Sequence, residues 1–265
     1  MKKNNVLRDL ITAGKPTIST HVFSQWPGVV ELVGFSGTMD YIEFSGQYAP
    51  YDLFSLENFG RAIDLFDHMT AMMKLDQEPR TYLAERAIGS GIQNMLFADV
   101  RTVEDTRESV NAVRMEVPGG GLAGAKSTRN VGYVYPGEFT LVDAVKDADE
   151  AIVAIMIEKK QAVEDLEEIL SVPGVDMVQF GPSDYSMSIG HADNSGHPDV
   201  KKAEKYTIET CIKMGVRPRA EISNWEQAKP YLDMGVVDFC IGSDVASIRG
   251  FCTDQGEALA KLVGR

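Results

Sequence analysis

Short runs of apolar and β-branched residues recur along the chain, each followed by a turn and then a stretch with helical spacing. The runs are Thr17–Val22, Tyr41–Ser45, Thr70–Leu75, Asn94–Asp99, Ala151–Ile157, Met177–Phe180, Pro218–Ile222 and Val236–Ile241. An apolar run bounded by polar segments is the signature of a strand buried on both faces of a parallel sheet. Between them, amphipathic patterns predict helices over Leu53–Phe66, Glu104–Met115, Ala162–Leu170, Lys201–Met214 and Trp225–Met234. Acids fall in predicted first turns, where the helix dipole favours them, and Gly174, Gly215 and Gly235 follow predicted helix ends.

Alternating strands and helices imply parallel pairing with right-handed crossovers. Eight such units in 265 residues predict an α/β fold of the (β/α)8 barrel type, spanning residues 1–265 as one domain. A doubly wound sheet fits less well, because no glycine-rich dinucleotide fingerprint follows the first strand. Residues 117–135, with Gly119-Gly120-Gly121, form one long irregular stretch that is expected to overhang the catalytic rim. Residues 190–198 form a second such stretch.

Composition narrows the partners. A formal net charge of −13 disfavours nucleic acid and anionic membrane surfaces, whose phosphates would repel the chain. The start MKKNNVLRDLITAGK lacks an apolar leader core, and no run approaches the length of a membrane span. The three cysteines, Cys211, Cys240 and Cys252, show no paired metal spacing, and Cys240 lies in an apolar run as a small core residue would. A soluble, cytoplasmic protein is expected.

Two acids stand out. Glu158 closes the run from Ala151 to Ile157, and Asp184 follows Phe180-Gly181-Pro182-Ser183. Carboxylates just past the C-terminal ends of successive barrel strands lie where such folds place their active sites. Two of them could share a hard divalent cation, for which oxygen ligands are suited. On spacing alone the simpler reading is that Glu158 caps the next helix and Asp184 sits in a turn.

The block from Ile157-Glu158 through Pro173-Gly174-Val175-Asp176 and Phe180-Gly181-Pro182-Ser183-Asp184-Tyr185-Ser186 to His197-Pro198 resembles the HpcH/HpaI aldolase/citrate lyase family. So do Ala13-Gly14-Lys15-Pro16, Met39-Asp40-Tyr41 with Gly46 and Ala49-Pro50, and Gly242-Ser243-Asp244, so the likeness spans nearly the whole chain. Within the family it is similar to the metal-dependent pyruvate aldolases. The resemblance implies a barrel with an exchanged C-terminal helix, a homohexamer, and a divalent metal (Mg²⁺, Mn²⁺ or Co²⁺) held at the positions of Glu158 and Asp184. It also implies cleavage or formation of a carbon–carbon bond beside a pyruvate enolate, with a 2-oxo acid and an aldehyde as partners. The backbone near Ser183 is expected to receive the substrate carboxylate, and Gln47 is a further substrate-binding candidate.

The chain departs from the family pattern where protons move. Gly46-Gln47-Tyr48-Ala49-Pro50 puts Tyr48 where the family has a histidine, and Lys74 stands for its carboxylate-binding arginine. Met156 replaces a glutamine, and the region Ile88-Gly89-Ser90-Gly91 lacks a supporting aspartate. Lys keeps the charge but loses the planar two-donor fork. Tyr48 either contacts substrate or fills the pocket. His21, ending the first run, could shuttle a proton or be hydrogen-bonded inside the barrel mouth. Glu43 shares a face with Tyr41 and Ser45 by period-two alternation; in the lumen it needs a partner, and an ion pair with Lys74 is expected. Lys126 and Arg129 could steer an anionic substrate from the long loop or be merely solvated. His191 and His197 suit a structural turn better than a metal, and Met72, Met73 and Met156 suit barrel packing. The expectation is a metal-dependent aldolase with Tyr48, Lys74 and His21 as catalytic candidates, Gln47, Ser183 and Lys126 binding substrate, and Glu158 and Asp184 holding metal. Its rivals are a CoA-thioester lyase of the citrate lyase branch and a catalytically altered paralogue that binds 2-oxo acids.

Overall fold

Each expected run becomes a strand of a closed parallel barrel. The structure is a computed structural model that describes residues 4–118, 120–125, 128–133 and 140–265. The strands are β1 Thr17–Val22, β2 Tyr41–Phe44, β3 Thr70–Leu75, β4 Asn94–Val100, β5 Val153–Ile157, β6 Met177–Phe180, β7 Arg217–Ile222 and β8 Asp238–Ser243. They pair in chain order, and β8 pairs back with β1 to close the ring. This is a (β/α)8 barrel, as the alternation implies.

Strand residues with outward side chains, among them Val22, Phe44, Met73, Phe97, Ile155 and Phe180, join the helices in the main apolar core. Alternate residues point into the lumen. There Tyr41, Met72, Leu96, Ala154, Met156 and Met177 pack together with Leu7. Leu7 belongs to an N-terminal helix, Val6–Thr12, that closes the end of the barrel where strands begin. Asn5 donates to Asn94 Oδ1 at 2.7 Å, and Arg8 donates to both oxygens of Asp176, at 2.7 and 2.9 Å. The opposite end, where strands finish, stays open.

Local chemistry sets the helix ends. Thr102 and Asp105 satisfy each other's backbone N–H groups at the start of the helix Val103–Val113, as Asp52 and Ser55 do for Leu53–Ile63. Each such cap contributes about 1 kcal/mol. The stretch expected as one helix from Ala162 to Leu170 is two, Lys160–Glu164 and Leu166–Leu170, because Asp165 leaves helical geometry at ψ 18°. Similarly, Trp225–Gln227 is a 3-10 turn leading into the helix Ala228–Asp233. The last strand begins at Asp238, two residues later than expected, where Arg217 Nε donates to Asp238 Oδ2 at 2.7 Å and Thr17 Oγ1 to Oδ1 at 2.7 Å.

The described part of the long stretch after Val113 does not overhang the rim. It packs at the closed end: Arg129 donates to Ser90 O at 3.2 Å and pairs with Asp64, both at helix C-termini. Topology explains the correction, since a helix that follows a strand runs back to the strand-start end before its loop begins.

The C-terminal helix Asp244–Leu262 has no buried residue, and Ile248, Phe251 and Leu262 stand exposed. No helix among the described residues is long and apolar enough to cross a membrane.

Candidate active site

A cavity of about 500 Å³ opens at the strand-finish end, and Glu158, Asp184, Lys74, Tyr48, His21 and Ser183 all line it. The neighbouring strands β5 and β6 bring the two acids together. Glu158 directly follows β5, and Asp184 lies in the first turn of the short helix Pro182–Ser188 that follows β6. Glu158 is 2% exposed. Its Oε1 accepts the Asp99 backbone N–H at 2.8 Å. Asp99 adopts a left-handed backbone, φ 55°, one of three non-glycine residues at positive φ among those described.

Burial is the dominant influence on Glu158 and pushes its carboxyl above the usual range, against the pull of the Asp99 N–H and the Lys74 charge. Among the described residues no ion pair neutralises it. Its Oε2 faces Gly181, where a Cβ would come within 2.5 Å of that oxygen. The missing side chain thus preserves a pocket over the carboxylate. A buried, uncompensated carboxylate with open space beside it, next to a second carboxylate, fits a hard divalent cation. Lys159 adds a feature with no counterpart in the sequence expectations: its Nζ bridges Asp99 Oδ1 at 2.6 Å and Asp184 Oδ1 at 3.1 Å.

Lys74 reaches the cavity from β3. Its ammonium donates to the Tyr48 hydroxyl at 3.4 Å and lies 4.8 Å from the centre of that ring. Burial opposes its charge, but Tyr48, Glu43 and Glu158 outweigh burial and raise its pKa. Tyr48 is 57% exposed. Gln47 sits behind this pair: its backbone N–H donates to Lys74 O at 3.1 Å, and its side-chain oxygen has no hydrogen-bond partner. Ser183 contributes to the wall beside Asp184, and its carbonyl accepts the Ser186 hydroxyl at 2.7 Å.

Glu43 does point into the lumen, as alternation requires, yet it does not pair with Lys74. It pairs with His21 Nε2 on β1 and with Arg219 on β7. His21 and Glu43 are direct register partners on adjacent strands. Arg219 reaches across the lumen, a long side chain bridging what Lys74 was expected to bridge. The contacts then close into a ring. Arg219 donates to Gln179 Oε1 at 2.5 Å, Gln179 Nε2 donates to Glu221 Oε2 at 2.9 Å, and Glu221 Oε1 lies 3.4 Å from His21 Nδ1. Both nitrogens of His21 are therefore engaged by carboxylates. Burial opposes its proton, but Glu43 above all, with Glu221, holds the imidazole pKa well above its ordinary value.

Sequence reasoning missed Arg219, Gln179 and Glu221. The signal was present: Arg217-Pro218-Arg219-Ala220-Glu221-Ile222 alternates polar and apolar, the same pattern that placed Glu43 in the lumen.

Other candidates fall outside this centre. Lys126 lies outside the described residues. Arg129, paired with Asp64 at the closed end, lies away from the cavity. His197 caps the helix Pro198–Met214, its Nδ1 accepting the Asp199 N–H at 3.2 Å, while the His191 ring stacks on it at 3.6 Å. With Asp199 these two could approach a metal, as could His21, Glu43 and Cys240, whose ligand atoms gather within 4.8 Å. In the second group the histidine and glutamate already satisfy each other, and Cys240 is fully buried with its thiol pKa raised, chiefly by that burial.

A parallel barrel with two carboxylates at the open rim and a lysine in the same mouth has its candidate site where such barrels place their active sites. A sequence model of the HpcH/HpaI aldolase/citrate lyase family matches residues 63–249, and the chain belongs to that family of aldolases and lyases. It is 28% identical over 250 residues to a 4-hydroxy-2-oxo-heptane-1,7-dioate aldolase of Klebsiella pneumoniae, covering 91% of this chain and 88% of the relative. An Escherichia coli protein of the same name is 27% identical over 264 residues, covering 98% and 95%. In fold it is similar to an HpcH/HpaI aldolase from Desulfitobacterium hafniense, with a TM-score of 0.85, 20% identity and coverage of 98% and 97%. The citrate synthase SbnG is also similar, with a TM-score of 0.81, 20% identity and coverage of 97% and 98%.

Proposed function

We propose that the protein is a divalent-metal-dependent carbon–carbon lyase that cleaves or forms a 4-hydroxy-2-oxo acid by way of a pyruvate enolate. The observation that carries this reading is Glu158: a buried carboxylate without an ion-pair partner among the described residues, in one cavity with Asp184, Lys74 and Tyr48. Glu158 and Asp184 would hold Mg²⁺, Mn²⁺ or Co²⁺. When bound, the cation supplies Lewis acidity towards the keto oxygen of a 2-oxo acid.

The chain's own groups do the rest. Lys74 draws in the substrate carboxylate, with looser orientation than a guanidinium fork would impose. The Tyr48 hydroxyl accepts from Lys74 and so keeps its own O–H for the aldehyde oxygen. Ser183 shapes the wall beside the acids, and Gln47 braces Lys74 through its backbone. His21, with both nitrogens engaged, acts by holding Glu43 and Glu221 in place.

A cytoplasmic setting and a homo-oligomer, hexameric by family resemblance, belong to the same proposal. The apolar residues exposed along the helix Asp244–Leu262, together with half-exposed Ile18 on the outer face of β1, support exchange of that helix between copies.

A coupled pyruvate-release assay across 4-hydroxy-2-oxo acids, with and without each metal, tests the reading. Metal-dependent release is expected. Calorimetric binding of Mn²⁺ with no turnover of any such acid would overturn it, and calorimetric binding of CoA in place of 2-oxo acids would move the protein to the thioester-cleaving branch.

A further inference from the structure

The cavity has two walls of unlike chemistry. Strands β3 and β7 lie four apart in a ring of eight, so Lys74 and Glu221 reach the cavity from opposite sides. Of the described residues lining it, three are cationic: His21, Lys74 and Arg219. The Arg219 side chain is fully buried and paired with Glu43. His21 spends both nitrogens on Glu43 and Glu221. Lys74 is left as the one lining cation, among the described residues, that is free of an ion pair. It can neutralise a single substrate carboxylate.

The opposite wall accepts rather than donates. The Glu221 side chain is 48% exposed although it is anchored by Gln179 and His21. A carboxylate has two oxygens and about four lone-pair sites, so an anchored, half-exposed one still offers acceptors to a ligand. Nearby on the same wall are Ser223 and Ser243, neutral groups that add no positive charge.

We propose that Glu221 selects the aldehyde half of the substrate, admitting a neutral, hydroxyl-bearing chain and rejecting one that ends in a second carboxylate. This rests on the 2-oxo acid reading above and goes beyond it, because the similar 4-hydroxy-2-oxo-heptane-1,7-dioate aldolases carry in their name a substrate with carboxylates at both ends. Hydroxyls supply the donors that Glu221 lacks. A distal carboxylate supplies none, brings like charge, and finds no free cation on this wall among the described residues. Polar sites built to accept substrate hydroxyls discriminate strongly against analogues without them.

The test uses calorimetry on the intact protein with Mn²⁺ and three probes: pyruvate, 5,6-dihydroxy-2-oxohexanoate and 2-oxoadipate. The two longer acids have equal chain length and no hydroxyl at C4, so neither can be cleaved during the titration. The dihydroxy acid is expected to bind at least about tenfold more tightly than 2-oxoadipate, and Glu221→Gln should reduce that ratio to about threefold or less. Equal binding, or tighter binding of 2-oxoadipate, by the natural protein overturns the inference while leaving the 2-oxo acid reading intact. A ratio unchanged in a folded Glu221→Gln variant also overturns it. Failure of all three probes to bind overturns the 2-oxo acid reading itself, and this inference with it.

Discussion

Glu43 and Glu158 are both glutamates sealed in the mouth of one barrel, 0% and 2% exposed, yet they meet opposite fates. Burial acts against the charge of each. Around Glu43 it is overcome by Arg219 and then His21, which hold the carboxyl far below its ordinary range. Around Glu158 burial prevails, and the carboxyl rises. One carboxylate is paired within the fold; the other has no ion-pair partner among the described residues. A buried charge paired within the fold fits an architectural role, whereas one left short of a partner is a candidate binding centre.

The sharpest way to break this contrast is to remove the compensation. Arg219→Met strands Glu43 with a single partner, and unfolding experiments should show a loss of roughly 3–5 kcal/mol. If the variant melts like the parent, the ring is not structural.

Glu158→Gln should do the reverse. Chemical denaturation should show stability held within about 0.5 kcal/mol of the parent or better, since a desolvated charge is relieved. Calorimetry should show Mn²⁺ affinity falling roughly 100-fold, with pyruvate release lost in parallel.

A subtler perturbation leaves both charges in place. Gly181→Ala sets a Cβ within 2.5 Å of Glu158 Oε2. It should displace that carboxylate and weaken Mn²⁺ binding by about tenfold, with little change in folding. Unaltered affinity would mean that Oε2 takes no part.

Acid provides the gentlest probe. Because Glu43 is held below its ordinary 4.5, its contribution to stability is complete above that value and is lost as pH falls through the lower, folded value. His21 runs the other way, its contribution complete below 6.5 and lost only as pH rises through a value well above that. Melting temperature should therefore hold a plateau between about pH 5 and 6.5 and decline on the acid side, and Glu43→Gln should flatten that acid decline.

The placement of Glu158 and Asp184 was legible in the sequence because it follows from position along the chain: an acid beyond the end of a buried strand must emerge at the rim. Glu43 was half legible. Period two fixed the face it occupies, but its partner lay across the lumen on β7, chosen by barrel closure and by the reach of Arg219. The described part of the stretch after Val113 was misplaced for a related reason, since its end of the barrel depends on the helix that precedes it and not on the strands that bracket it.

Sequence alone determined the eight strands, their parallel order and the two rim acids, because apolar run length and side-chain alternation are local properties that every neighbouring residue reinforces. Only the tertiary structure decided which buried charges would find each other. Closing the sheet brings β7 to β1 and β2, and distances across a lumen appear in no one-dimensional pattern. The Arg219–Glu43 pair, the ring that continues through Gln179 and Glu221, and the lack of an ion pair at Lys74 among the described residues all follow from that closure.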